Sequence, residues 1–114
     1  MKKLIAGMLM MAPLAAFAHA HLERSAPAND AKLKTSPDHV VLVFNEAVGL
    51  NAVTLQKDGE KSPTALGPLP QEEGVALQVA LPKLSRGRYT VRYVVVSSDQ
   101  HESRGALVFT VQAP

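Results

Sequence analysis

The segment RYTVRYVVV, residues 88–96, decides the fold class of this chain. Within it, Tyr89, Val91, Tyr93 and Val95 are aromatic or branched and occupy every second position. The polar residues Arg88, Thr90 and Arg92 alternate with them in the first part of the segment. Because successive side chains of a β-strand point to opposite faces, this period of two indicates a strand with one buried face and one partly wet face. We therefore predict a strand over residues 88–96.

Similar short runs recur from Ala26 onward between Gly, Pro, Asp and Ser, with no helical period of useful length. The run Val40 to Phe44 is apolar throughout, which predicts a strand covered on both faces. Lys-Asp-Gly-Glu at 57–60 predicts a tight turn, because Asp-Gly supplies the positive φ that such turns need. We expect 63–74 to form a longer loop. The other predicted strands cover residues 40–45, 52–56, 75–81 and 106–112.

The whole chain has 114 residues, which is room for one domain with a single modest core. Five strands and one or two shorter ones, at the spacing of a sandwich, predict an all-β fold. We expect an immunoglobulin-like Greek-key β-sandwich or barrel of about seven strands.

Residues 1–18 have the three zones of a secretory signal. Lys2 and Lys3 precede an apolar segment at 4–14, and small residues follow at Ala16-Phe17-Ala18. The apolar segment contains Pro13 and is shorter than the roughly 20 residues that a membrane-spanning helix needs. We therefore expect a cleaved signal peptide at 1–18, a folded domain at 19–114, a periplasmic location and no segment embedded in the membrane.

The composition of the expected mature chain excludes several classes of site. Removing Lys2 and Lys3 from the twelve basic residues leaves ten against ten acidic residues, so no basic nucleic-acid surface is expected. The chain has no cysteine, and its four methionines all lie in the first 18 residues. Cu(I), which prefers soft sulfur ligands, would find few of them in residues 19–114.

Histidines at the expected cleavage point indicate a metal site. Cleavage after Ala18 would make His19 the first residue, whereas cleavage after Ala20 would make His21 the first. Either histidine could chelate a metal through its α-amine and imidazole, since the amine has an ordinary pKa of about 8. Cleavage before His19 yields His-Ala-His, whose third residue adds another imidazole. Such nitrogen-rich tetragonal coordination favours Cu(II), although the ligand types alone leave Zn(II) open.

Asp99 and His101 are the second half of the expected site. They directly follow the predicted strand, and in an extended backbone their side chains project to the same side. We expect one Cu(II) ion per chain, with His19, His21, Asp99 and His101 as candidate metal ligands. His39 is expected to begin a strand as a surface residue, and Glu46 to be a strand-end carboxylate. No motif of a hydrolase, a phosphate-binding loop or a zinc protease is present, so no catalytic residue is assigned.

Four segments of the chain form a recognisable pattern: His19-Ala20-His21-Leu22 with Ser25-Ala26-Pro27-Ala28, Val41-Leu42-Val43-Phe44-Asn45-Glu46, Leu84-Ser85-Arg86-Gly87-Arg88-Tyr89-Thr90-Val91, and Val95-Val96-Ser97-Ser98-Asp99-Gln100-His101. Together they resemble the CopC family of periplasmic copper-resistance and copper-trafficking proteins. The last segment is the most specific, because family members carry Ser-X-Asp-X-His after a Gly-X-Tyr-X-Val strand. The family pattern also begins the mature protein at a histidine, which corresponds to His19.

The resemblance implies a Greek-key β-barrel of immunoglobulin-like type. It also implies that Cu(II) is held by the α-amine and imidazole of His19, the carboxylate of Asp99 and the imidazole of His101, with His21 as an extra candidate. Some relatives have a Cu(I) site in a methionine-rich loop, but the corresponding loop here, about 63–74, has no methionine. The implied role is to buffer or carry periplasmic Cu(II), handing it to an inner-membrane importer of the CopD type. We expect a monomer.

Three alternatives remain open on the sequence. A copper-dependent oxidative enzyme of histidine-brace type also chelates copper with an N-terminal histidine, but the chain is small and offers few aromatics for a substrate face, so we do not expect an enzyme. A metal-free β-sandwich could be an interaction module. In the third alternative, His-Ala-His binds Cu(II) by itself through its amine, its backbone amides and its third-position imidazole, and Asp99 and His101 take no part.

Overall fold

All regular structure between residues 20 and 113, the part of the chain that the computed structural model describes, is β-strand. The expected signal peptide at 1–18 and the candidate ligand His19 lie outside the described residues. No helix that could cross a membrane is present in residues 20–113. The seven strands confirm the all-β prediction: β1 Leu22–Ala26, β2 Ala31–Leu33, β3 His39–Lys57, β4 Thr64–Ala65, β5 Gly74–Ala80, β6 Gly87–Ser97 and β7 Glu102–Val111.

Strand β3 is 19 residues long and joins two segments that the sequence predicted as separate strands, 40–45 and 52–56. The prediction of two strands was wrong, because the alternation of buried side chains continues through Val48 and Leu50. The register of β3 shifts against β5 between Val43 and Val48, and against β6 between Leu50 and Ala52. Such bulges bend a strand without ending it, so one strand can pair in both halves of the curled sheet.

The two halves of β3 have different neighbours. Its first half pairs with β1 and β5, and its second half pairs with β6 and β4. Val48 pairs with Gly74 of β5 and with Ser97 of β6, so β5 and β6 lie on opposite edges of β3. It follows that β1 and β6 pair with successive segments of the same edge of β3. Beyond β6, the sheet continues through β7 to β2, which runs parallel to β7.

The core lies inside the curled seven-stranded sheet and is formed mainly by the inward residues of β3, β5, β6 and β7. Tyr89, Val91, Tyr93 and Val95 are all buried, as their alternation predicted. The rings of Phe44 and Tyr93 meet edge to face with centroids 5.5 Å apart, which is a favourable aromatic geometry. In the apolar run, Val41 and Val43 face outward and stay partly exposed, so the prediction that this run is covered on both faces was wrong.

The predicted turn at 57–60 is present. The N–H of Glu60 donates to the carbonyl of Lys57 over 3.0 Å, and Gly59 has a φ of 98°. The predicted loop at 63–74 contains the short strand β4 and then leads into β5. His39 begins β3 as an exposed residue, as expected.

Candidate metal centre

A tight turn joins β6 to β7 and carries Asp99 and His101. The N–H of Ser97 donates to the carbonyl of His101 over 2.9 Å, and the N–H of Gln100 donates to the carbonyl of Ser97 over 2.9 Å. Gln100 has a φ of 72°, in the left-handed region. A turn followed by one left-handed residue is a common three-residue hairpin connection. Residues 98–100 are therefore held by the hydrogen bonds of the hairpin.

Asp99 and His101 contact each other across this turn. Nδ1 of His101 lies 2.9 Å from Oδ2 of Asp99. The other carboxylate oxygen of Asp99 accepts a short hydrogen bond from the hydroxyl of Ser97 and a longer one, 3.3 Å, from the backbone N–H of His101. The structure thus brings together the carboxylate and the imidazole that the sequence placed on one side of the chain.

The spacing of these two atoms suits a shared metal ion. Nitrogen and oxygen ligands lie about 2.0–2.2 Å from divalent first-row metals such as zinc. Adjacent ligands of a tetragonal ion subtend about 90°, so they lie about 3 Å apart. An ion replacing the proton between Asp99 and His101 would therefore need little movement of either side chain. The two side chains are 58% and 62% exposed, so an ion can reach them from solvent.

The pKa of the Asp99 carboxyl is held well below its ordinary value. The largest cause is the hydrogen bond from the Ser97 hydroxyl, followed by the side-chain and backbone hydrogen bonds of His101. Hydrogen bonds that stabilise the charged form lower a carboxyl pKa. Asp99 is consequently an anion, the form in which a carboxylate binds metal.

The start of the described chain is fixed on β3 by Asn45. The N–H of His21 donates to Oδ1 of Asn45 over 2.7 Å, and the N–H of Asn45 donates to the carbonyl of His21 over 3.1 Å. Ala20 is only 5% exposed and belongs to the core. Residues 20 and 21 are therefore anchored before β1 begins.

This anchor and the turn lie along the same edge of β3. His21 bonds to Asn45, and Ser97 pairs with Val48, three positions further along the strand. Three residues of a β-strand span about 10 Å. Because β1 runs antiparallel to β3, its first residue pairs nearer to Val48 than its last residue does. The start of β1 is thus the end of that strand nearer to the turn that carries Asp99 and His101.

Comparison with known proteins identifies the family. The model of the CopC domain matches residues 22–112. The chain belongs to the CopC family. This CopC domain is 31% identical over 119 residues to copper resistance protein C of Escherichia coli, covering 96% of this chain and 94% of that protein. It is 32% identical over 100 residues to protein YobA of Escherichia coli K12, covering 84% of this chain and 81% of that protein.

A third relative is much longer than this CopC domain. Copper transport protein CutJ of Bacillus subtilis is 28% identical over 107 residues, which are 90% of this chain but 20% of that protein. The CopC domain thus spans about one fifth of CutJ.

Two solved structures support the fold. CopC from Methylosinus trichosporium OB3b superposes with a TM-score of 0.72 at 24% identity, covering 83% of this chain and 95% of that one. PcoC of Escherichia coli, described as a methionine-rich copper resistance protein, has a TM-score of 0.63 at 27% identity, covering 83% of this chain and all of that one.

In the described part of the chain, no further histidine or acidic side chain joins Asp99 and His101 in a group of three metal ligands. Within residues 20–113, no group of three or more His, Cys, Asp or Glu side chains could hold a metal ion. His21 lines a cavity of about 580 Å³ together with Tyr93 and Ala106. Glu46 lies inside β3 and not at a strand end, so that expectation was wrong; the residue is half-buried. The described residues therefore contain two of the candidate ligands in contact, and a third, His21, that is not grouped with them.

The structure gives a role at the site to two residues for which the sequence predicted none, Ser97 and Asn45. Ser97 is 2% exposed, and its hydroxyl fixes Asp99. A signal for Ser97 was available, because the alternation through Tyr93 and Val95 places it on the buried face, where a polar group needs a partner. Asn45 gave no comparable signal, because its bond to His21 depends on the register of β1 against β3.

Proposed function

We propose that this CopC-family chain binds a single Cu(II) ion in the periplasm and serves copper resistance, buffering or trafficking. The observation that carries the proposal is the placement of two features along one edge of β3. The anchored start of the domain lies at Asn45, and the Asp99–His101 turn lies at Val48. Residues from opposite ends of the domain can therefore share one ion.

The proposed ligands are the α-amine and imidazole of His19, the carboxylate of Asp99 and the imidazole of His101. His19 directly precedes Ala20, and one residue spans at most about 3.6 Å of chain. An imidazole side chain extends that reach toward the turn. The β-scaffold fixes Asp99 and His101, and the segment before β1 delivers His19 to them, so the site closes as a clasp.

The environment of residues 20 and 21 favours signal cleavage before His19. Cleavage before His21 would remove Ala20, whose side chain is buried in the core. Copper binding by His-Ala-His alone would require deprotonation of the His21 amide, which donates its proton to Asn45. His21 therefore enters the proposal only as an additional imidazole ligand, through its side chain.

The ligand types favour Cu(II) over Cu(I). The proposed set contains only nitrogen and oxygen atoms, and residues 19–114 contain neither cysteine nor methionine. Nitrogen-rich tetragonal sites suit Cu(II), whereas Cu(I) prefers sulfur. We accordingly propose one copper site per chain and no counterpart of a methionine-rich site.

A carrier role accords with the relatives better than an enzymatic one. They are named as copper resistance and copper transport proteins. The transport protein CutJ contains a CopC-like segment within a chain about five times as long, which supports transfer of copper from this domain to a membrane importer of the CopD type. We propose such an importer as the acceptor.

A competitive Cu(II) titration tests the proposal. The chain beginning at His19 is compared with a copy that carries one extra glycine ahead of it, and each is titrated against a chromophoric chelator. The extra residue leaves every side chain in place but moves the α-amine away from His19. We expect a large loss of affinity in the extended copy. Equal affinity in both copies would contradict the clasp.

Substitution of the other half of the site completes the test. Asp99→Ala and His101→Ala should each weaken Cu(II) binding by the chain that begins at His19, with His39→Ala as a control because His39 begins β3 as an exposed residue away from the turn. If both variants bind copper as tightly as the parent, the ion is held elsewhere.

A further inference from the structure

Strand β5 forms an unpaired edge of the sandwich. Its seven residues, Gly74–Ala80, pair with β3 on one side. Within residues 20–113, no strand pairs with its other side. An unpaired edge presents a row of backbone N–H and C=O groups that can bind another strand.

The hydrogen-bonding pattern shows which backbone groups face outward. The N–H of Leu81 donates to the carbonyl of Asp38 over 2.8 Å, in the same register that pairs Ala80 with His39. Bonded and non-bonded pairs alternate in an antiparallel ladder. The N–H and C=O groups of Ala76, Gln78 and Ala80 therefore point away from β3, and their side chains are exposed.

This edge lacks the features that usually prevent edge-to-edge pairing. Proteins protect exposed edges with charged residues, proline, bulges or very short strands. β5 contains no charged residue and no proline, and its pairing with β3 is regular from Ala76 to Ala80. The other outlying strands are protected: β1 carries Glu23 and Arg24, and β2 and β4 are three and two residues long.

An exposed apolar side chain lies on the same strand. Val75 is 47% exposed and is the single large hydrophobic residue exposed within residues 20–113. Neighbouring inward residues of β5, Leu77 and Val79, are buried. A strand added beside β5 would cover Val75 and remove apolar surface from water.

Charges of opposite sign flank the two ends of this strand. Glu72 and Glu73 precede β5, and Lys83 follows it. Two copies of the strand in antiparallel orientation place the acidic end of one beside the basic end of the other at both ends. Parallel pairing would instead bring like charges together, which destabilises neighbouring strands.

We propose that β5 pairs antiparallel with β5 of a second copy of this chain, about a two-fold axis at Leu77. In this register Gly74 lies opposite Ala80 of the second copy, and Ala76 lies opposite Gln78. All outward-facing backbone groups of the strand then pair, and Val75 packs beside Val79 of the second copy. The three strands β1-β3-β5 of one copy then continue into β5-β3-β1 of the second copy, which gives six strands side by side.

The proposed dimer differs from the monomer expected from the sequence. A single strand pair buries less surface than a stable interface of about 1,200–2,000 Å², so the association is weak and concentration-dependent. The free edge could not be found from the sequence, because a strand pattern does not show which of its sides is paired.

Sedimentation velocity over a range from low micromolar to near-millimolar concentration tests the proposal. A chelator is present throughout, so that a shared metal ion cannot link two copies. We expect a concentration-dependent dimer that Gln78→Lys abolishes. The lysines of the two copies would lie diagonally across the two-fold axis, where their like charges repel. The matched control is Gln112→Lys, an identical change at an exposed position outside β5, which should leave the dimer intact.

Disulfide trapping tests the register. The chain has no cysteine, so single variants have no competing thiol. Opposed residues of an antiparallel pair have Cα atoms about 5.5 Å apart, within the range of a disulfide. An equal mixture of Ala76→Cys and Gln78→Cys should therefore cross-link faster than either variant alone. A monomer at every concentration, a dimer that Gln78→Lys leaves unchanged, or equal cross-linking in all three samples would overturn the proposal.

Discussion

The hydroxyl of Ser97 donates a short hydrogen bond to the carboxylate of Asp99, and this bond links the core of the sandwich to the candidate metal centre. Ser97 is the last residue of β6 and is buried, whereas Asp99 is exposed on the turn. The same hydroxyl lies 3.3 Å from the carbonyl oxygen of His101. The buried end of β6 thus contacts the carboxylate of Asp99 and the backbone of His101, the two residues that are proposed to bind copper.

Ser97→Ala should weaken Cu(II) binding while leaving the fold intact. The substitution removes only the hydroxyl, so Asp99 loses the hydrogen bond that lowers the pKa of its carboxyl the most. Loss of such a supporting contact typically costs about 10- to 100-fold in metal affinity. Competitive Cu(II) titration measures the change, and the neighbouring exposed residue supplies a control in Ser98→Ala. Equal losses in both variants, or none in either, would contradict a positioning role for Ser97.

Gln100→Gly should stabilise the domain. Gln100 has a φ of 72°, a conformation that costs a non-glycine residue about 1–2 kcal/mol and glycine much less. Glycine also gains freedom in the unfolded chain, so the expected net increase in the free energy of unfolding is about 0.5–1 kcal/mol. Urea denaturation measures it. Ser98→Gly, in the same turn, lacks the positive φ and should be neutral or destabilising; a similar gain there would mean that strain at Gln100 is not the cause.

Asn45→Ala should loosen the start of the domain and reduce Cu(II) affinity. The change removes the acceptor for the His21 N–H, a hydrogen bond with a net contribution of about 0.5–1.5 kcal/mol. Hydrogen exchange of the His21 amide should become faster, and copper affinity should fall because His19 is delivered less consistently. Asn45→Asp retains an acceptor and serves as the control. Slow exchange of the His21 amide in Asn45→Ala would show that the anchor does not depend on this side chain.

Gly105→Ala should destabilise the sandwich. Gly105 lies opposite Tyr93, and a Cβ atom there would overlap the tyrosine ring and its hydroxyl. Overpacking of this kind costs about 1–3 kcal/mol. Gly49→Ala is the matched control, because its new Cβ would lie 3.8 Å or more from its neighbours. Thermal or urea unfolding measures both changes. In the double variant Gly105→Ala with Tyr93→Leu, the loss of unfolding free energy should be smaller than the sum of the losses in the two single variants. A fully additive loss would exclude the overlap with the tyrosine ring as the cause.

Local patterns in the sequence predicted the strand at 88–96 and the turn at 57–60, because a period of two and an Asp-Gly pair are properties of neighbouring residues. The continuity of β3 was missed because residues 45–51 lack a clear strand pattern, although the strand passes through them with two bulges. The Asp99–His101 pair is two residues apart and could be predicted. The contact between His21 and Asn45 joins distant segments, and no local pattern specifies their register.

Acidification should release copper through the protonation of nitrogen ligands while Asp99 is still charged. The pKa of Asp99 is lowered by its hydrogen bonds from Ser97 and His101. A lowered carboxyl pKa contributes stability that is present above the ordinary value of about 3.9 and is lost as the pH falls through the lower folded value. Amine and imidazole groups in general bind protons at much higher pH than carboxyl groups, so protons compete with copper for the nitrogen ligands first.

Copper affinity measured from pH 8 to 5 should therefore fall steeply in the parent chain. In the Asp99→Asn variant the affinity should be weaker at every pH in this range, because the carboxylate ligand is lost while Asp99 of the parent stays charged. Below about pH 4 the unfolding free energies of the two apo proteins should converge as Asp99 of the parent takes up a proton. An affinity of Asp99→Asn equal to that of the parent between pH 8 and 5 would mean that the carboxylate does not hold the ion.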